Sequence, residues 1–218
     1  MKDIMLYWSG ICVSEGRQRE IPGESPKRKE ASSMQYGGTG REKQRIRQEA
    51  HRISVSLDPA YRAEASRSIT EQVLALPAWQ RARTVMAYVS MAEEPDTKEL
   101  IEAALTEGKT LLLPCCVDRE HMVAVPVTDL SGMTIGRLGI PEPQPLPEGT
   151  EIPEPEVILV PCVAATPNGI RLGHGAGYFD RFLAEHRGMM VCLCFRRLLR
   201  ADLPAEATDV PTDLVITD

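Results

Sequence analysis

Short apolar runs that alternate with helical patterns constrain the fold of this chain more than any other feature. Residues 84–89 (TVMAYV) form a compact apolar run that is typical of a buried strand. Asp96 and Glu99 form a capping-box pattern that predicts a helix ending near residue 107, and residues 110–114 predict the next strand. A strand, a helix and a strand in this order indicate a βαβ unit with parallel strands and a right-handed connection. The sequence therefore predicts an α/β fold around a parallel sheet.

The remaining elements extend this pattern along the chain. Asp58 and Pro59 indicate a helix start, because Pro is favoured in the first turn of a helix. Predicted helices cover residues 41–57, 58–76 and 178–185, and further predicted strands cover residues 122–127, 157–161, 191–195 and 214–217. Apart from the strand at 122–127, we expect irregular loops between residues 118 and 155, where turn-forming residues are frequent.

The domain organisation follows from length and from a change in composition near residue 40. A chain of 218 residues with 43% hydrophobic residues can build one sizeable core. Residues 1–39 contain Gly, Pro and a basic cluster without lasting periodicity, so we expect them to form a disordered N-terminal extension. Residues 40–218 are expected to form a single domain.

The distribution of charge argues against a nucleic-acid partner. The formal net charge is −6, but residues 1–52 carry +4 and the rest of the chain carries −10. An acidic body is poorly suited to binding nucleic acid. It can still bind small anions where a few cations and backbone N–H groups converge in one cleft.

The cysteines and the apolar segments predict a cytoplasmic protein. The six cysteines include no CxxC pair, and five of them lie in apolar, strand-like runs. Reduced, buried thiols are the expected state, since the sequence has no recognisable secretory signal. No stretch approaches the roughly 20 apolar residues of a transmembrane helix, so we expect no membrane partner.

The densest functional signal is the segment from Asn168 to Arg181, NGIRLGHGAGYFDR, between a predicted strand and a predicted helix. Its glycines leave backbone N–H groups open to an anion, and the following helix presents its positive end to the same anion. Arg171 can add a fork of donors, and Asp180 could hold Mg²⁺ between phosphate oxygens. The pattern predicts a phosphate-binding loop, although glycine-rich turns without a ligand are also common at such places.

The string RLGHGAGYFDRFL (residues 171–183), which follows an apolar strand ending at Pro161, resembles the signature of the 5-formyltetrahydrofolate cyclo-ligases. The resemblance extends over nearly all of residues 41–218. It includes KQRIR (43–47), YVS and EPDT (within 88–97), GRLGIPEP (136–143) and DVPTD (209–213). It implies a three-layer, Rossmann-like domain with a mostly parallel mixed sheet between helices, and with ligands at the strand ends.

The resemblance also implies roles for individual residues. ATP binding is implied for Lys43, Arg47, Arg171, Leu172, Gly173, His174, Gly175, Ala176, Gly177 and Tyr178. Substrate binding is implied for Arg47, Val89, Glu94, His174 and Tyr178. Asp180 and Asp213 are the implied Mg²⁺ ligands, and Arg171 is the implied catalytic residue because it can stabilise charge on a transferring phosphoryl group.

The implied reaction is the ATP- and Mg²⁺-dependent cyclisation of 5-formyltetrahydrofolate to 5,10-methenyltetrahydrofolate, with release of ADP and phosphate. The implied partners are small molecules, and a monomer is the expected state. Two other functions stay open: a non-catalytic folate or nucleotide binder, and a regulatory protein on the same fold that works through its basic N-terminal tail.

Several positions depart from the family's pattern. Thr166 stands where an aspartate is usual, Ala165 replaces an aromatic residue, and Thr208 stands where a histidine is frequent. His174 lies where a basic residue is common, and Phe179 replaces a tyrosine. If the usual aspartate acts through the metal, Thr166 marks a weakened metal site that Asp would restore. If the aspartate only shapes the loop, a restored carboxylate would repel ATP.

Overall fold

The structure is a computed structural model that describes residues 40–136, 138–147 and 149–218. The expected N-terminal extension at residues 1–39 lies outside the described residues. The helices are α1 (Gly40–Val55), α2 (Pro59–Ala75), α3 (Pro77–Arg81), α4 (Lys98–Thr106) and α5 (Tyr178–Glu185), with a 3₁₀ turn at Arg196–Leu198. The strands are β1 (Thr84–Met86), β2 (Thr110–Cys116), β3 (Met122–Val127), β4 (Thr134–Ile135), β5 (Pro141–Glu142), β6 (Val157–Val160), β7 (Ala164–Ala165), β8 (Arg171–Leu172), β9 (Met189–Leu193) and β10 (Leu214–Ile216).

Six strands form one mixed sheet in the order β10-β9-β6-β1-β2-β3. The first five are mutually parallel, and β3 is antiparallel to β2 at the edge. The chain builds outward from β1 to β3 on one side, and then returns to place β6, β9 and β10 on the other side. The strand order therefore reverses between β1 and β6, which is where open α/β sheets form a ligand crevice.

Alternate side chains along the strands belong to two separate parts of the core. Val85, Leu111 and Leu159 pack in one cluster with residues of α1, α2 and α4, among them Ile46, Ile69 and Leu100. Met86, Leu112 and Ile158 pack in the other cluster with Tyr178, Phe182 and Leu183 of α5. The sheet thus lies between two helical layers, which confirms the predicted α/β class. Truncating a fully buried strand residue such as Leu112 to Ala would cost about 2–5 kcal/mol of unfolding free energy.

The start of α2 follows the sequence prediction, whereas the start of α4 does not. Asp58 caps α2, and its Oδ1 accepts a hydrogen bond from Ala60 N at 2.7 Å. The capping box predicted for Asp96 and Glu99 is wrong, because α4 begins at Lys98 after Thr97. The Asp96 N–H donates to Ser66 Oγ at 3.0 Å instead. The Asp96 Oδ1 still accepts locally from Lys98 N at 2.9 Å, so the contact with α2 replaces only the half of the box in which Glu99 would bond to the Asp96 N–H.

The boundaries of other elements also differ from those predicted. The predicted strand at residues 84–89 ends at Met86, since the chain then leaves the sheet toward the cavity described below. The predicted loop region contains the β4–β5 hairpin, and a second small antiparallel pair joins β7 to β8. The five described cysteines are free thiols. In the part of the chain that the structure describes, no helix is both long and apolar enough to cross a membrane.

Candidate functional site

A cavity of about 860 Å³ opens at the carboxyl ends of β1 and β6, where the strand order reverses. Its walls come from α1, the segments after β1 and β6, the β4–β5 hairpin, the start of α5 and the loop before β10. Its volume lies within the range of small-molecule sites, roughly 300–1,000 Å³. All residues predicted to bind ATP or substrate lie on this lining: Lys43, Arg47, Val89, Glu94, Arg171, Leu172, Gly173, His174, Gly175, Ala176, Gly177 and Tyr178.

The glycine loop, residues 173–177, connects β8 to α5. Gly175 and Gly177 have φ values of +108° and +73°, a backbone region that other residues rarely adopt. Arg47 Nε on α1 donates to the carbonyl of Gly173 at 2.8 Å, and a Cβ at Gly175 would lie 3.3 Å from the Arg47 guanidinium carbon. The glycine loop therefore packs against the Arg47 side chain. Its backbone leads directly into the N-terminus of α5, where helix N–H groups can bind an anion.

Lys43 projects from α1 into the same end of the cavity. It is 6% exposed, and its Nζ lies 2.6 Å from Asp209 Oδ2 and 3.0 Å from Glu206 Oε2. Burial by itself lowers the pKa of the Lys43 ammonium, but the two carboxylates outweigh burial and leave the pKa raised. Lys43 is thus held as a cation, and its partners belong to the loop before β10.

Arg171 is held in a similar way by Asp180 in the first turn of α5. Its Nη2 donates to Asp180 Oδ1 at 2.8 Å, and the Arg171 side chain is buried. Asp180 Oδ1 also accepts from Val210 N at 3.2 Å. Arg171 Nε is buried and has no hydrogen-bond partner among the described residues. A buried donor without a partner costs free energy, so this arginine keeps capacity for a ligand.

A hydrogen bond connects the glycine loop to the segment after β1. His174 Nε2 lies 2.9 Å from Glu94 Oε1, although the two residues are 80 positions apart in sequence. Glu94 Oε2 accepts from Met91 N at 2.8 Å, so both carboxylate oxygens are fixed. The predicted phosphate-binding segment and the predicted substrate-binding segment therefore meet in the folded chain.

Tyr178 begins α5 and lies against the loop after β2. Its hydroxyl donates to the carbonyl of Asp118 at 2.8 Å, and Arg181 lies 5.6 Å from its ring centroid. Arg181 also donates to the carbonyls of Glu120 and Ala176. These contacts fix the N-terminus of α5 beside the cavity.

The two residues predicted to bind Mg²⁺ lie apart. Asp180 lines the cavity, whereas Asp213 precedes β10 and lies outside the lining. Asp213 Oδ2 accepts from Met190 N at 2.9 Å, at the amino-terminal ends of β9 and β10. The described residues contain no group of three or more His, Cys, Asp or Glu side chains that could hold a metal ion. The arrangement therefore does not fit a metal site built from the protein alone.

Thr166 shapes a turn in this structure. It is 1% exposed, and its Oγ1 accepts from Ile170 N at 3.1 Å and donates to Asn168 Oδ1. Ala165 lies beside it on β7, and neither residue lines the cavity. Thr208 and Phe179 do line it. For Thr166, this placement supports the loop-shaping alternative.

Three acidic residues of the cavity received no role from the sequence: Glu142, Glu206 and Asp209, the last being the first aspartate of the DVPTD segment. Glu206 lies in an irregular loop and has no motif, so no signal identified it. Glu142 lies within the GRLGIPEP motif, which the sequence singled out without assigning a function. It lines the cavity beside Cys116, whose thiol pKa is raised to about 12 by burial and by the Glu142 carboxylate.

Comparison with known proteins agrees with the motif resemblance. The chain is 31% identical over 169 residues to the probable 5-formyltetrahydrofolate cyclo-ligase of Schizosaccharomyces pombe, covering 69% of this chain and 82% of the relative. It is 30% identical over 200 residues to the 5-formyltetrahydrofolate cyclo-ligase of Saccharomyces cerevisiae, covering 80% and 94%. The NMR structure of Aquifex aeolicus 5,10-methenyltetrahydrofolate synthetase superimposes with a TM-score of 0.69 at 28% identity, covering 80% of this chain and 88% of that one. Since the 5-formyltetrahydrofolate cyclo-ligase family model also matches residues 39–218, this chain belongs to that family.

Proposed function

We propose that this protein converts 5-formyltetrahydrofolate to 5,10-methenyltetrahydrofolate, coupled to conversion of ATP to ADP and phosphate. The observation that carries the proposal is the hydrogen bond between His174 and Glu94, at 2.9 Å. It joins the segment suited to phosphates to the segment assigned to the folate, within a single cavity. Two ligands bound there would have their reacting groups side by side, which is the main requirement for transfer between them.

The triphosphate is assigned to the cationic end of the cavity. Lys43, Arg47 and Arg171 lie there with the amides of the glycine loop and the N-terminus of α5. Phosphoryl transfer depends mainly on positioning and on stabilising charge. Lys43 and Arg171 would exchange or share their carboxylate partners with phosphate oxygens, and Arg171 Nε supplies a donor that the protein leaves unused.

The folate is assigned to the other end of the cavity, which is largely apolar. Val89, Met91, Leu138 and Ile140 are among the apolar residues that line the cavity, and Glu94 adds a fixed carboxylate. A reduced pterin has a flat, partly apolar ring with N–H donors at its edge. Such a ring needs apolar walls and a few placed acceptors, which is the usual composition of a small-molecule site.

The reaction proceeds in two steps in this proposal. The formyl oxygen attacks the γ-phosphorus of ATP, so a new O–P bond forms while the bond to ADP breaks. N10 then attacks the formyl carbon and loses its proton, and the C–O bond breaks to release phosphate. No protein nucleophile is needed, and the Cys116 thiol, with a pKa raised to about 12, stays protonated at neutral pH.

Mg²⁺ remains part of the proposal as the usual partner of ATP. Mg²⁺ is commonly bound through one or two carboxylates together with substrate phosphates, and Asp180 is the predicted ligand that faces the cavity. The steps above rely only on groups of the chain and its two substrates. A monomeric state and a cytoplasmic location are also proposed, the latter supported by the free thiols of the five described cysteines.

The decisive test is the absorbance band of methenyltetrahydrofolate after the full-length protein is mixed with 5-formyltetrahydrofolate, ATP and Mg²⁺. We expect the band to appear only when both substrates are present. Titration calorimetry with each substrate separates an enzyme from a non-catalytic binder: binding of both ligands without the band would refute the proposed reaction.

A further inference from the structure

Glu142 occupies an unusual position among the acidic residues of the cavity. It lies on β5 in the β4–β5 hairpin and is 7% exposed. Asp180, Glu206 and Asp209 each form an ion pair with Lys43 or Arg171, and Glu94 bonds to His174. Among the described residues, Glu142 takes part in no ion pair. Burying a carboxylate without a cationic partner costs free energy, so the presence of Glu142 at this position needs a physical reason.

The position of the Glu142 carboxylate is fixed from two sides. Its Oε2 accepts from Cys116 N at 2.8 Å, at the end of β2. Gly136 packs so closely against it that a Cβ at position 136 would overlap the carboxylate atoms. The backbone N–H and the thiol of Cys116 together with one glycine therefore hold the group in place at the cavity wall. A carboxylate has about four acceptor sites, so the remaining lone pairs can still accept hydrogen bonds.

The surroundings of Glu142 point to a flat ligand that carries N–H donors. The nearby lining is apolar and comes from Pro114, Met122, Leu138 and Ile140. In low-polarity surroundings a hydrogen bond to a carboxylate is strong. The amino group and adjacent ring N–H of a pterin are spaced to match the two oxygens of a carboxylate. The oxygens of Glu94 bond to two different segments, through Met91 N and His174, whereas the hydrogen-bond partners of Glu142 are the backbone N–H and the thiol of one residue, Cys116.

We infer that Glu142 is a specificity-determining residue that accepts hydrogen bonds from the N–H donors of the reduced pterin ring. The inference rests on the proposed function, because it assigns the folate to this end of the cavity. The motif GRLGIPEP then has a physical role: Gly136 provides the space and Glu142 provides the acceptor. The field of this carboxylate also contributes, after burial, to the raised pKa of the Cys116 thiol.

The test is Glu142→Gln, which keeps the size of the side chain and an acceptor for Cys116 N. Glu151→Gln is the matched control, since Glu151 is an exposed glutamate outside the cavity. We expect Glu142→Gln to weaken binding of 5-formyltetrahydrofolate at least about tenfold in calorimetry, while ATP binding stays within about twofold. The melting temperature of the ligand-free protein should stay equal or rise, because a buried charge without a cationic partner is removed.

A second variant tests position rather than charge. Gly136→Ala keeps Glu142 but displaces its carboxylate, and should also weaken folate binding while sparing ATP binding. Folate affinity equal to wild type in Glu142→Gln, or equal losses for both ligands, would overturn the inference. The outcome is separate from that of the proposed reaction. If wild type binds 5-formyltetrahydrofolate without forming the methenyl product, the reaction fails, yet selective loss of folate binding in Glu142→Gln still supports this role.

Discussion

At the end of the cavity formed by α1 and the glycine loop, two of the three cations are already paired with carboxylates: Lys43 with Glu206 and Asp209, and Arg171 with Asp180. The third, Arg47, donates to the carbonyl of Gly173. At the end formed by the β4–β5 hairpin, Glu142 is buried without an ion-pair partner among the described residues. The ion pairs of the first end hold its geometry without a ligand, whereas the proposed folate would supply the missing partner at the second. The difference teaches that preorganisation and ligand recognition can be assigned to separate walls of a single site.

The largest expected effect is at the cationic end of the cavity. Replacing Arg171 with Ala should lower kcat/KM about 100-fold, because a preorganised donor to the transferring phosphoryl group is lost. Steady-state kinetics of the methenyl absorbance measure this change. Arg67→Ala is the control, since Arg67 is an exposed arginine paired with Glu64 on α2. Normal turnover of the Arg171→Ala variant would show that Arg171 has no catalytic role.

Lys43→Gln should act mainly on the nucleotide. We expect the KM for ATP to rise about tenfold, since one phosphate cation is lost and two carboxylates remain beside the triphosphate. The KM for 5-formyltetrahydrofolate should change by less than about twofold. Arg52→Ala, on an exposed part of the same helix, is the matched control. Equal increases in both KM values would contradict the division of the cavity into two ends.

The loss of stability in Lys43→Gln should also depend on pH. The pKa of Lys43 is raised above its ordinary value of 10.5 in the folded state, so its ion pairs stabilise the fold fully below that pH. The stabilisation is lost as pH rises through the folded-state value. The difference in melting temperature between wild type and Lys43→Gln should therefore be constant up to about pH 9 and shrink above 10.5.

The sequence predicted the strands of the main sheet and named the residues that line the cationic end of the cavity, whose binding roles stay predictions. Apolar runs revealed every strand of the main sheet, and the glycine loop lies in one continuous motif. The capping box at Asp96 failed because Ser66, 30 positions away, competes for its N–H. The β4–β5 and β7–β8 pairs have two residues per strand, too few to show periodicity. Glu142 depends on contacts with Cys116 and Gly136 that only the fold brings together.

Thr166→Asp tests a position that sequence reasoning placed beside the metal. The new carboxylate would be buried next to Asn168 Oδ1, with Ile170 N as its donor. We expect a loss of about 1–3 kcal/mol in unfolding free energy, and no shift in the Mg²⁺ concentration for half-maximal turnover. Chemical denaturation and a Mg²⁺ titration measure the two effects, and Thr166→Ser keeps the hydroxyl as a control. Higher turnover at lower Mg²⁺ would restore the metal interpretation of this site.

Removing residues 1–39 should have the smallest effect. The family match begins at residue 39, and the described cavity lining begins at Gly40. We expect kcat and both KM values within about twofold of the full chain. A larger loss of activity would move part of the function into the N-terminal segment, as the regulatory alternative requires.

The most direct test of the shared cavity follows a single oxygen atom. 5-Formyltetrahydrofolate labelled with a heavy oxygen isotope in its formyl group is converted by the full-length protein in the presence of ATP, and the released phosphate is analysed by mass spectrometry. If the formyl oxygen attacks the γ-phosphorus, each phosphate released should carry one labelled oxygen. Unlabelled phosphate would contradict the account, because it would mean that ATP cleavage and ring closure are not joined through the formyl oxygen.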